Sequence, residues 1–126
     1  MLQILALVML SQTPLQPVAH GVASYYTVTS SSGVTSSGEV LDDATYTCAM
    51  PHGKFGSYYL VVAENGSSVL CRLNDRGPYT SGRVIDLSEA AMRRLDAGAE
   101  LMRVKVYKID LRRILDFFKL NFAGKK

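Results

Sequence analysis

Between residues 21 and 109 the apolar positions are set for short strands rather than long helices. Met102, Val104 and Val106 alternate with Arg103, Lys105 and Tyr107, the period of a strand with one buried face. Residues 57–63 (SYYLVVA) and 68–73 (SVLCRL) read as two more strands, and the Asn65-Gly66 pair between them is a strong hairpin signal. Residues 21–28 (GVASYYTV) are rich in Tyr, Val and Thr, and 83–85 form a further brief strand. The Ser/Thr/Gly-rich run 29–39 is a loop by composition, and 74–78 (NDRGP) is a sharp turn. One short helix follows, with Asp86 or Ser88 as its cap and Leu87, Ala91, Met92 and Leu95 as its apolar face, ending near Gly98. Many short strands with one short helix predict a mainly β fold, a small closed or nearly closed barrel.

The two ends follow different patterns. Residues 2–10 (LQILALVML) are apolar apart from Gln3 and are followed by a Pro-containing polar stretch. Nine residues are too few to span the ~30 Å hydrocarbon core of a bilayer. This pattern reads as a leader or secretory signal over 1–20, ending near Ala19–Gly21, although no Lys or Arg precedes the apolar run. The barrel domain is then expected over 21–109. In 110–122 (DLRRILDFFKLNF), Leu111, Ile114, Leu115 and Phe118 stand at helical spacing, with Asp110 as N-cap. This predicts an amphipathic helix in a tail over 110–126. Packing of its stripe on the barrel is the plainer expectation; peripheral contact with anionic envelope polymer or membrane is the sharper one.

Composition bounds the rest. The chain has 126 residues, with 14 basic and 11 acidic side chains, for a net charge of +3. That is enough for one domain with a real core. Residues 21–109 hold nine basic and nine acidic side chains, whereas 110–126 hold five and two, so the whole net charge lies in the tail. A basic tail without a recognisable nucleic-acid module argues against a nucleic-acid partner, and a monomer is expected. Two Cys and two His without metal-ligand spacing point to no metal site, and no cofactor is implied. Export would place Cys48 and Cys71 in an oxidising compartment, where a disulfide would contribute about 3 kcal/mol by loop entropy. Two buried thiols are the other reading.

Four stretches then carry a resemblance: GVASYY at 21–26, TSSGE at 35–39, FGSYYLVVAENGSSV at 55–69 and LNDRGPYTSGRVIDLSEAAMRRL at 73–95. In this order they resemble the RlpA-like (rare lipoprotein A) family. The resemblance implies a six-stranded double-psi β-barrel with one or two short helices. It also implies the activity of an exported peptidoglycan lytic transglycosylase in the periplasm, cell envelope or extracellular space, with glycan strands as partner. A non-catalytic, expansin-like wall-glycan module is the alternative. Carried over by motif, the glutamate of SGE falls on Glu39 and the aspartate of NDRGP on Asp75, with Asn74 and Arg76 beside it as substrate-binding candidates. The family's histidine does not carry over: counting back from Phe55-Gly56, Met50 takes its place and His52 stands two positions later.

The residue types fit that chemistry. A lytic transglycosylase uses the sugar's own 6-hydroxyl in place of water, so one carboxyl serves first as acid and then as base, unlike the spaced carboxyl pair of a hydrolase. Asp75, at a rigid Gly-Pro turn after an apolar strand, is the first candidate. Glu39 is the second; if the fold brings the two together, repulsion would raise one pKa and leave an acid beside a charged partner. His52, between Pro51 and Gly53, is a weak third. Tyr25, Tyr26 and Tyr79 are candidates for stacking on sugar rings.

Overall fold

The computed structural model describes residues 16–28 and 33–122. Residues 1–15 of the predicted leader over 1–20, residues 29–32 of the Ser-rich loop and residues 123–126 of the tail lie outside them. Six strands form a closed barrel: β1 (Ala19–Tyr26), β2 (Thr47–Ala49), β3 (Tyr58–Ala63), β4 (Ser68–Asp75), β5 (Arg83–Ser88) and β6 (Met102–Ile109). Around the wall the order is β1-β5-β2-β4-β3-β6, with β6 returning to β1. β1 pairs with β5, and β2 with β4, in parallel; the other neighbours are antiparallel. Closure leaves no long strand edge open to another chain.

Alternation decides what fills the barrel. Ala23, Cys48, Val61, Cys71, Leu73, Ile85, Leu87 and Val106 point inward and are fully buried. Each fully buried Leu, Ile or Val side chain stabilises the fold by roughly 1.5–3 kcal/mol. The short helix α1 (Glu89–Leu95) adds Ala91, Met92 and Leu95 to the same core. Of the two expected caps, Ser88 is the one used: its Oγ accepts from the Ala91 N–H at 3.3 Å. The predicted hairpin joins β3 to β4, with Gly66 at φ 87° where a side chain would be strained. β2 is the strand that the residue pattern leaves out; it is three residues long, too short to show a period.

β1 takes in Ala19 and His20, two residues that the sequence pattern assigns to the leader, and their partners are Val106 and Lys105. Gly21 sits where β1 closes on β5, and a Cβ there would stand 2.8 Å from Val84 Cγ1 and 2.9 Å from the Gly82 carbonyl oxygen. After β6 the chain runs into α2 (Leu111–Phe122), with Asp110 Oδ1 accepting from the Arg112 and Arg113 N–H groups at 3.0 and 3.4 Å. Of the expected stripe, Leu111, Leu115 and Phe118 remain exposed and Ile114 is half-buried. Among the described residues no helix is long and apolar enough to cross a membrane.

The two cysteines are free thiols, both buried. They stand on neighbouring strands out of register, since Cys48 is level with Leu73 and not with Cys71. Hydrogen bonding with Cys48 and burial raise the Cys71 thiol well above its ordinary pKa.

Candidate active site

Asp75 owes its position to a break in alternation. Leu73 points into the barrel, and an unbroken strand would turn Asp75 inward as well. Opposite β2, however, β4 carries one extra residue: Cys48 is level with Leu73, and Ala49 with Asp75. This bulge at Asn74 resets the parity and places Asp75 on the outer face with Ala49. A second shift lies between β1 and β5, where Val22 is level with Arg83 and Ala23 with Ile85. Together the two bulges line up Ser24, Asp86, Ala49 and Asp75 in one row across β1, β5, β2 and β4.

The next outward row holds Tyr26, Ser88, Thr47 and Arg72. Tyr26 is level with Ser88, and Thr47 with Arg72, while the Thr47 N–H donates to Ser88 Oγ at 3.2 Å. The Tyr26 hydroxyl and Thr47 Oγ1 are 3.0 Å apart. Burial pushes the Tyr26 hydroxyl far above the ordinary phenol range, so it is a neutral hydrogen-bonding group and not a base.

Residues 33–41 close over one end of these rows as a small self-bonded turn. The Leu41 N–H donates to the Gly33 carbonyl at 2.9 Å, the Thr35 N–H to the Glu39 carbonyl at 2.9 Å, and the Gly38 N–H to the Thr35 carbonyl at 2.9 Å. Three ties then fasten the turn to β4. Ser36 donates to Asp75 Oδ1 from its N–H at 2.9 Å and from its Oγ at 2.6 Å. The Ser37 N–H donates to the Asn74 carbonyl at 3.2 Å. Arg72 grips Glu39 with both guanidinium NH2 groups, Nη2 to Oε2 at 2.7 Å and Nη1 to Oε1. The Arg76 N–H adds a third donor to Asp75 Oδ1 at 2.8 Å.

This geometry separates the two expected carboxyl roles. Arg72 hydrogen-bonded to Glu39 lowers the glutamate's pKa, so Glu39 is a fixed anion. A cation, Arg72, already holds the charge of Glu39 on the side facing β4. Asn74 is buried and helps to lower the pKa of Glu39, after the larger effect of Arg72, while Asn74 Oδ1 has no partner among the described residues.

Other sequence candidates fall elsewhere. Tyr25, next to Tyr26 on a strand, must face the other way; it packs on the core, with the Arg93 guanidinium 4.8 Å from its ring centre. Arg76 turns from the rows, stacks 4.2 Å over the Phe55 ring and donates from Nη2 to the Gly53 carbonyl at 2.7 Å. His52 is exposed and borders a shallow cleft with Val18, Ala19, Arg83 and Val84, not with Asp75 or Glu39. Met50 is a core residue, 7% exposed, whose N–H donates to the Asp75 carbonyl at 3.2 Å. Tyr79, 80% exposed on the turn after β4, stays available to a large ligand.

The sequence reading missed Ser36, Arg72 and Asp86. Composition marks Ser36 as loop without saying which serine turns inward, and Arg72 looks like any strand surface cation. Asp86, read as a helix cap, instead accepts from Ser24 Oγ on the same outward row as Asp75. With strands spaced about 4.8 Å apart, the Asp75 and Asp86 backbones lie about 10 Å from one another across β2. Among the described residues no group of three or more His, Cys, Asp or Glu is placed to hold a metal ion.

Comparison with known proteins agrees with this architecture. Residues 18–106 match the family described as lytic transglycolase. The chain is 42% identical over 95 residues to a probable endolytic peptidoglycan transglycosylase RlpA of Treponema pallidum, covering 74% of this chain and 30% of that protein. It is 46% identical over 77 residues to the endolytic peptidoglycan transglycosylase RlpA of Yersinia pestis, covering 60% of this chain and 21% of that one. The chain thus spans between about a fifth and a third of the length of these relatives. Among solved structures, a mutant Clavibacter michiganensis expansin in complex with cellohexaose shares the fold at a TM-score of 0.56 and 19% identity, covering 72% of this chain and 50% of that one.

Proposed function

This chain belongs to the lytic transglycolase family of RlpA-like double-psi β-barrels, and from that membership we propose that it cleaves the MurNAc–GlcNAc bond of peptidoglycan glycan strands after export to the cell envelope. One observation carries the assignment of the acid: the bulge at Asn74 turns Asp75 to the outer face, where Ser36 and the Arg76 N–H fix its Oδ1. All three donors meet Oδ1, and Oδ2 is assigned to the substrate.

The cycle needs one carboxyl. Protonated Asp75 gives its proton to the glycosidic oxygen as the C1–O bond breaks and the GlcNAc end leaves. The carboxylate then takes the proton of the MurNAc 6-hydroxyl as that oxygen attacks C1, which yields a 1,6-anhydro end and restores the acid. No water is consumed. Glu39, kept anionic by Arg72, supplies negative charge facing the cationic sugar that develops between the two steps. Tyr26 and Tyr79 are the aromatic candidates for contact with the strand.

The test is release of anhydro-muropeptides from purified sacculi, followed by mass spectrometry. Wild type is expected to release them, and Asp75→Asn to reduce release by at least about a thousandfold at unchanged folding. Undiminished release by Asp75→Asn would end this reading. The core position of Met50 favours a second reading, a module that binds wall glycan without cutting it. It predicts no anhydro products from wild type, with pelleting on sacculi that survives Asp75→Asn.

A further inference from the structure

We propose that α2 is a membrane-surface anchor that lies in the interface of an anionic phospholipid bilayer, a role independent of the reaction assigned to the barrel. Leu111, Leu115 and Phe118, at i, i+4 and i+7, fall on one narrow strip of the helix and are 37, 59 and 42% exposed. Burying a strip of this kind in the acyl boundary is favourable in proportion to its apolar area. Its border is cationic. Arg112 and Lys119, seven residues apart, share one flank of the strip, with Asp116 further round the helix.

A second observation points to the same ligand. Where α2 leaves β6, a cleft of about 780 Å³ is lined by Lys54, Tyr58, Lys108, Asp110 and Arg112. Three cations face a single carboxylate there, and Asp110 Oδ1 is already engaged by the first N–H groups of α2. The sole ion pair among the described residues is Arg72–Glu39, so none of these cations is paired with a described carboxylate. A phosphate headgroup beside an acyl surface satisfies both features: anion in the cleft, chain under the strip. A second copy of this chain would bring the same cationic border against itself. The helix of 12 residues is about 18 Å long, suited to lie along a membrane surface and too short to cross one.

The experiment is flotation of the full chain with vesicles of phosphatidylcholine alone or mixed with phosphatidylglycerol, at low and high salt. Binding is expected only with phosphatidylglycerol, weakening as salt rises. Leu115→Asp should reduce the partition coefficient by at least about tenfold, and Arg112→Gln and Lys119→Gln by about fivefold each. All three sites lie outside the barrel, and an unchanged melting temperature checks that it stays folded. The chain has no Trp, so Phe118→Trp is a single reporter whose emission should shift to the blue on anionic vesicles. Equal binding to neutral vesicles, or binding untouched by Leu115→Asp, overturns the proposal. So does a concentration-dependent dimer that Leu115→Asp abolishes, or retention by lipid-free sacculi without vesicle binding.

Discussion

Two segments leave the barrel wall, and they are held in opposite ways. Residues 33–41 leave Val34 and Val40 exposed and bury Leu41 alone of their apolar side chains, but are fastened to β4 by Ser36, Ser37 and Glu39, each meeting a different β4 residue. Helix α2 has a clear apolar stripe, yet Leu111, Leu115 and Phe118 of it stay exposed. Hydrophobic pattern alone would have ranked them the other way. The difference follows from directionality: hydrogen bonds and a two-pronged ion pair fix a short polar loop to within a rotamer, whereas an apolar stripe only needs some apolar surface to meet. The proposed chemistry rests on the first kind of attachment, and the proposed docking surface on the second.

The largest blow to this contrast should come from Arg72→Leu. It removes both hydrogen bonds to Glu39 and the charge that keeps it anionic. Release of anhydro-muropeptides is expected to fall by about thirtyfold, the scale of a hydrogen bond to a charged group. Stability should change by less than ~1 kcal/mol, because the two side chains are 31 and 40% exposed and water screens the pair. Arg72 lowers the pKa of Glu39, so the pair stabilises the fold above the ordinary value of 4.5 and loses that contribution as pH falls through the folded value. A urea midpoint followed from pH 6 to pH 3 should therefore drop less steeply in Arg72→Leu than in wild type. A variant with full activity would show that the loop is positioned without this pair.

A smaller effect is expected from Ser36→Ala, which deletes the 2.6 Å hydroxyl donor to Asp75 but keeps the backbone donor at 2.9 Å. The turn stays in place and one of three bonds to Oδ1 is lost. Turnover should fall about fivefold, about 1 kcal/mol, with thermal stability nearly unchanged. Ser36→Thr should restore most of the rate, which separates a lost hydroxyl from a disturbed turn.

How much of this was legible beforehand differs by residue. The hairpin at Asn65-Gly66 and the alternation of β6 are local signals, and both strands form where the pattern puts them. The tyrosine pair was legible in principle: neighbours on a strand face opposite ways, so Tyr25 and Tyr26 could not both reach one ligand. The outward aim of Asp75 was not legible, because it depends on a register shift against β2, a strand of three residues distant in sequence. The motif resemblance marks Asp75 without explaining why it faces out. Asp86 was misread because a carboxylate three residues before a helix looks like a cap, and only the register with Ser24 and Ala49 reveals its row. The Arg72–Glu39 pair joins residues 33 apart, which no local pattern reports.

The smallest effect should be the most telling. Ending the chain after Ile109 removes α2, which is in no strand pairing of the barrel and none of whose described side chains belongs to its buried core. If α2 is attached only through its connection to β6 and the rim of the cationic cleft, the barrel loses almost nothing. Its unfolding free energy should stay within about 0.5 kcal/mol of the full chain, and release of anhydro products from soluble glycan strands should be unchanged. Ile109, 7% exposed at the last position of β6, is the reason to cut there and not earlier. A loss of several kcal/mol would mean that α2 covers apolar barrel surface in solution, and the contrast between a fastened loop and a helix held ready for a partner would fail. Unchanged stability with lost vesicle binding would place all of the tail's value outside the fold.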